Sequence, residues 1–115
     1  MHIDRYEFGT LVADGREIHT DVLLTPAGVH EHWWRREGHV VRLEDLGALL
    51  ETSPQRLIIG TGRYGRMRPA AGLERDLAAR GVSVEVLPTA AAVERISELL
   101  RLGASGWAGA LHLTC

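Results

Sequence analysis

An apolar run that ends in a glycine-rich bend, Leu57-Ile58-Ile59-Gly60-Thr61-Gly62-Arg63-Tyr64-Gly65, limits the folds open to this chain more than any other stretch. A short, wholly apolar segment bounded by turn residues reads as a buried strand. The chain beyond it repeats the theme. Pro69 suits the first turn of a helix carrying Leu73 and Leu77, and Gly81 fits its stop. Val82 to Leu87 forms a second strand, and Pro88-Thr89 opens another helix with Thr89 as N-cap, Val93, Ile96, Leu99 and Leu100 inward, and Gly103 beyond its end. Trp107 to Leu113 is the third strand. This βαβαβ rhythm predicts parallel strands joined by right-handed crossovers, which puts loops 60–68 and 88–89 at the carboxyl edge of the sheet. Open sheets of this kind bind ligands at that edge.

The first half has a different period. Ile3 to Phe8, Thr10 to Ala13 and Glu17 to Leu24 carry strand signals, with Asp14-Gly15 as a hairpin turn, so an antiparallel meander is predicted. Thr25-Pro26-Ala27-Gly28 stops the third strand. Val29 to Arg36 reads as a further extended segment, with Val29, Glu31, Trp33 and Arg35 on one side and His30, His32, Trp34 and Arg36 on the other. Leu43, Leu46, Leu49 and Leu50 recur at helical spacing before Ser53-Pro54. At 115 residues, one core and one α/β domain over 1–115 are expected.

Bulk chemistry removes several function classes. The net charge of -2 leaves no strongly basic surface for nucleic acid. All 13 cations are arginine, which excludes Schiff-base chemistry and the lysine of a phosphate-binding Walker loop. The single cysteine, Cys115, forms no internal disulfide, and no stretch reaches the roughly 20 apolar residues that cross a bilayer. Without an apolar or mitochondrial leader, a cytoplasmic location is the expectation, with no membrane partner.

Several blocks then fall into a familiar order. Asp21-Val22-Leu23-Leu24-Thr25-Pro26 with Gly28, Trp34-Arg35 with Gly38-His39, Leu57-Ile58-Ile59-Gly60-Thr61-Gly62, Leu87-Pro88-Thr89 before a helix, and Leu111-His112-Leu113-Thr114-Cys115 run along nearly the whole chain. In order and spacing they resemble the Mth938-like domains, a small α/β family of unknown function. That family includes the adipogenesis-associated protein of mammals and a mitochondrial respiratory complex I assembly factor. The resemblance implies a three-layer α/β fold, with a mixed central sheet, helices against it and a small N-terminal antiparallel sheet. It transfers no catalytic residues and no cofactor, and its assembly-factor members imply protein partners.

Five features carry what chemistry the sequence offers. Gly60, Gly62 and Gly65 spell the dinucleotide fingerprint, a match weakened because Arg66-Met67-Arg68-Pro69 separates them from the next helix and Glu85 lies mid-strand rather than at the carboxyl end where a ribose-binding acid sits. The loop Gly60, Thr61, Gly62, Arg63, Tyr64, Gly65, Arg66 and Arg68 is therefore read as a small-anion site, formed by free amides and guanidinium groups, or as a turn whose arginines are solvated or paired with Glu74 and Asp76. Trp33, Trp34, Arg35 and Arg36 have the composition of an interface. His30 and His32, on one side of an extended segment, would hold a metal only if His39 or Glu37 returns to them as a third ligand, and no metal is expected. His112 and Cys115, three apart in a strand, should face opposite ways, which disfavours a thiol–imidazole pair. Asp21, a carboxylate entering an apolar strand, calls for an arginine partner, or with His39 could serve acid–base chemistry. With no acid–base–nucleophile set, the leading reading is a non-catalytic binding or assembly module, monomeric or weakly self-associating. The alternative is a small-anion or enzymatic site at the loop.

Overall fold

The structure is a computed structural model that describes residues 1–115. Strands β1 (Ile3–Glu7), β2 (Thr10–Ala13) and β3 (Arg16–Ile18) form a small antiparallel sheet in that order. Asp14 and Gly15, both at positive φ, make the tight turn between β2 and β3. The chain then enters a five-stranded sheet through β4 (Val22–Thr25) and its hairpin partner β5 (Gly28–His30). A short strand β6 (Val40–Val41), a 3-10 turn (Leu43–Leu46) and helix α1 (Gly47–Leu50) come next. The second half runs β7 (Arg56–Gly60), β8 (Arg68–Pro69), α2 (Leu73–Ala79), β9 (Ser83–Leu87), α3 (Thr89–Arg101) and β10 (Trp107–Leu111).

The large sheet has the order β5-β4-β10-β7-β9, with β7 parallel to both β9 and β10, and β4 antiparallel to β10. Strand alternation sorts its side chains into two cores. Val22, Leu24, Ile58, Trp107 and Leu111 pack with Ile96 and Leu99 of α3 and with Ile3, Leu11 and Ile18 of the small sheet. Leu23, Leu57, Ile59, Ala108 and Ala110 face the other way, against Leu46, Leu49, Leu73, Leu77 and Trp33. Two covered faces explain why the centres of β7 and β10 carry apolar residues on both sides.

The structure departs from the sequence reading at several places, and of the extended segment expected over Val29 to Arg36 only the part within Gly28–His30 is strand, because His32 takes a positive φ. The expected strand from Glu17 to Leu24 divides at residues 19–21, because the Asp21 carbonyl accepts the Trp33 N–H at 2.9 Å and the carboxylate turns inward to tertiary partners. Pro69 lies in β8, paired in parallel with β6, and α2 begins only after Gly72; a residue lacking an N–H is tolerated in such a short edge pair. Thr89 is the first residue of α3 rather than its cap, since its hydroxyl is engaged elsewhere. Strand β10 stops at Leu111, two residues early, and the chain bends so that the Leu113 carbonyl accepts from the Gly9 N–H and the Tyr6 hydroxyl, both at 2.9 Å.

Candidate functional site

Gly60 is in register with Leu87 on one side and Leu111 on the other, so three parallel strands end level and deliver the 60–68 loop, the start of α3 and residues 112–115 to one edge. Most of the loop's amides are not free there; only those of Tyr64 and Gly65 lack an acceptor in the chain. Thr61 N–H donates to the Leu87 carbonyl (2.9 Å), Gly62 N–H to the Thr89 hydroxyl (2.7 Å), Arg63 N–H to Thr114 O (2.7 Å), Arg66 N–H to Cys115 O (3.1 Å) and Met67 N–H to Thr61 O (3.0 Å). The Thr89 hydroxyl donates in turn to the His112 carbonyl at 2.6 Å. The amide cradle expected of the glycine bend is thus filled by the protein's own chain. Gly62, at φ +104°, is where that approach is tightest: a Cβ there would lie 2.6 Å from the Cys115 carbonyl carbon and 2.8 Å from His112 Cδ2.

Beside this platform lies a polar cluster assembled from distant segments. Asp21 Oδ2 stands 2.8 Å from His112 Nδ1 and 2.8 Å from Arg35 Nη2, while its Oδ1 accepts the Leu113 N–H at 2.8 Å. Burial alone would push the Asp21 carboxyl upward, but the bonds from His112, the Leu113 N–H and Arg35 outweigh it and hold the group below its ordinary value. Arg35 stacks on Trp33, its carbon Cζ 4.4 Å from the ring centroid, and donates through Nε and Nη2 to the Gly38 carbonyl. Its Nη1 is buried with no acceptor in the chain. Burial raises the Tyr6 hydroxyl above its ordinary value, against the pull of the Arg63 charge.

His39 joins the cluster from the residue just before β6. Its carbonyl accepts the Arg68 N–H at 3.0 Å, its ring meets His112 edge-on with centroids 5.4 Å apart, and its Nε2 is 3.5 Å from Cys115 Sγ. The expectation that His112 and Cys115 face apart fails because β10 ends before them and strand alternation no longer applies. His39 does not return to His30 and His32, which are both exposed.

The residues expected at an interface divide in two. Trp33 is buried, its Nε1 donating to the Asp45 carbonyl at 2.9 Å, and the Arg35 side chain is only 5% exposed, so neither can meet a partner. Trp34, 76% exposed, and Arg36 point outward beside a shallow cleft of about 410 Å³ that also touches Glu44, Asp45, Gly47 and Ala48. A wider hollow of about 710 Å³ between Arg42 and Arg80 touches none of the polar cluster and is open to solvent. In the glycine loop, Arg63, Tyr64, Gly65, Arg66 and Arg68 are exposed, and none of the three arginines has a carboxylate within 4.0 Å, so the expected pairing with Glu74 and Asp76 is absent. Tyr64 rests on Phe8, ring centroids 6.2 Å apart. Sequence reasoning points to Asp21 and its need for an arginine. It does not reveal that the arginine is Arg35 or that His112 is the second partner, because no local pattern links residues 21, 35 and 112.

A family described as a protein of unknown function (DUF498/DUF598) matches residues 3–112. Among solved structures, a conserved hypothetical protein from Pyrococcus horikoshii is 25% identical with a TM-score of 0.84, covering 100% of both chains. A protein from Bartonella henselae described as an outer membrane protein is 26% identical with a TM-score of 0.80, over 98% of this chain and 94% of that one. A Mth938-like domain from Bordetella pertussis shares 22% identity and a TM-score of 0.66, over 97% and 85% of the two chains. No protein of curated function matches. No helix in this chain is long and apolar enough to cross a membrane.

Proposed function

Since the chain belongs to the DUF498/DUF598 family of unknown function, with a Mth938-like fold, we propose from its surface that it is a non-catalytic binding module whose partner presents acidic groups to the 63–68 loop. One observation carries this reading. Phe8 and Tyr64, 53% and 74% exposed, meet at a tilt of 42° with ring centroids 6.2 Å apart, and the chain around Tyr64 carries Arg63, Arg66 and Arg68, which have no acidic partner of their own. Large uncovered aromatics next to arginine are the composition of protein contact surfaces, and guanidinium forks match carboxylates. The resemblance to assembly-factor relatives agrees with a protein partner. Trp34 with Arg36 is a second surface of the same composition.

Quantitative co-purification from the native cell tests the proposal, comparing the wild type with an Arg63→Ser/Tyr64→Ser/Arg66→Ser variant of unchanged circular dichroism. A near-stoichiometric partner held by the wild type and lost by the triple variant is expected. Identical partners for both proteins would refute it.

The filled amides disfavour a small-anion site built on the backbone, but the unpaired arginines keep a side-chain version of it. Calorimetric titration with phosphate and with dicarboxylates separates the two: saturable 1:1 heat that disappears in Arg63→Ser favours the small ligand.

A further inference from the structure

We propose that His39, His112 and Cys115 form a binding site for a borderline transition-metal ion of the zinc type. One ligand atom from each residue lies within 4.8 Å of the other two. Cys115 Sγ and His39 Nε2 are 3.5 Å apart, which is roughly the separation of a thiolate and an imidazole nitrogen bound tetrahedrally to zinc at about 2.3 and 2.0 Å. Two imidazoles and one thiolate are a borderline-soft set that selects zinc, cobalt or copper over magnesium or calcium.

Three features place these groups independently of any ion. The His39 carbonyl is held by the Arg68 N–H, the His112 carbonyl by the Thr89 hydroxyl, and the Cys115 carbonyl by the Arg66 N–H. The bare Gly62 leaves the space through which residues 112–115 reach the loop. Asp21 stands behind His112 at 2.8 Å from Nδ1, nearer than Arg35 Nη2 at 3.3 Å, in the position a carboxylate takes behind a metal-bound histidine; by accepting the Nδ1 proton it leaves Nε2 unprotonated, with the Thr114 hydroxyl 3.4 Å away as the neighbour an ion would displace. Arg35 lies on the Nδ1 side, where Asp21 and the Gly38 carbonyl engage its charge. His39 and Cys115 are each partly open to solvent, which gives an ion a way in. Three protein ligands leave the fourth position for water or for a group brought by a partner.

Titration of tag-free, reduced protein with cobalt(II) tests the site. The expected result is 1:1 binding with a near-ultraviolet thiolate-to-cobalt band and visible bands of tetrahedral intensity, both displaced by zinc. Cys115→Ser should abolish the thiolate band, and His39→Ala should weaken binding at least ~10-fold, the lower end of what even supporting residues cost such sites. A His30→Ala/His32→Ala variant should bind as the wild type does. Folded wild-type protein that takes up no cobalt, binding without the thiolate band, or binding lost with His30 and His32 rather than with Cys115 would each overturn the proposal.

Discussion

Replacing Gly62 by alanine should destabilise the domain by about 2–5 kcal/mol, and the size of that loss discriminates between two roles for the glycine bend. The backbone at φ +104° imposes a left-handed conformation on a residue with a Cβ, at about 1–2 kcal/mol. A further ~1–3 kcal/mol comes from overpacking, because the new methyl would meet the Cys115 carbonyl carbon at 2.6 Å and His112 Cδ2 at 2.8 Å, and backbone cannot move aside cheaply. Gly65→Ala provides the control. It carries the same kind of φ, +71°, but its Cβ would touch only Thr61 Oγ1 at 3.7 Å, so the conformational cost alone applies. Urea unfolding with an unchanged m-value should separate the two variants by the overpacking difference, equivalent to roughly 4 °C in Tm per kcal/mol for a domain of this size. Two variants equal within about 0.5 kcal/mol would refute the claim that the bend exists to receive residues 112–115.

Thr89→Val should cost about 2–4 kcal/mol, since it strips partners from the buried Gly62 N–H and His112 carbonyl, while Thr89→Ser should recover most of the loss in the same unfolding assay. Asp21→Asn leaves the Arg35 charge buried without a counter-ion, and a destabilisation of about 3–5 kcal/mol at pH 7 is expected. Because the folded Asp21 carboxyl lies below its unfolded value of 3.8, the unfolded chain binds the proton first as pH falls; the aspartate's contribution is present in full above about pH 5 and is lost as pH drops through the folded value, so metal-free wild type and Asp21→Asn should converge in acid denaturation below pH 4. Adjacent tryptophans should behave oppositely: Trp33→Ala lowers stability by about 3–5 kcal/mol, whereas Trp34→Ala stays within about 0.5 kcal/mol by thermal unfolding.

Local chemistry accounts for much that is legible along the chain. The alternation that puts Val29, Glu31, Trp33 and Arg35 on one side and His30, His32, Trp34 and Arg36 on the other survives in the burial, even though His32, at positive φ, breaks the strand after His30; that the first set is the inward one is decided by the tertiary structure. The βαβαβ order, the Asp14-Gly15 hairpin and the glycine stops at 81 and 103 follow from period and turn preference, which neighbours in sequence dictate. Pro69 and Thr89 depart from their local preferences because tertiary partners claim them, the β6 strand for one and His112 with Gly62 for the other.

Hydrophobic period and crossover handedness leave few arrangements besides the observed one, so the order of elements, the parallel second half and the edge at which its loops gather are all written in the residues themselves. The occupants of that edge are not. Residues 21, 35, 39, 112 and 115 are up to 94 positions apart, and they meet because β10 ends at Leu111 and lets the chain bend over Gly62. Long-range hydrogen bonds to Gly9, Asp21, Arg63 and Thr89 hold that bend, and none of them leaves a periodic trace in the residues it joins.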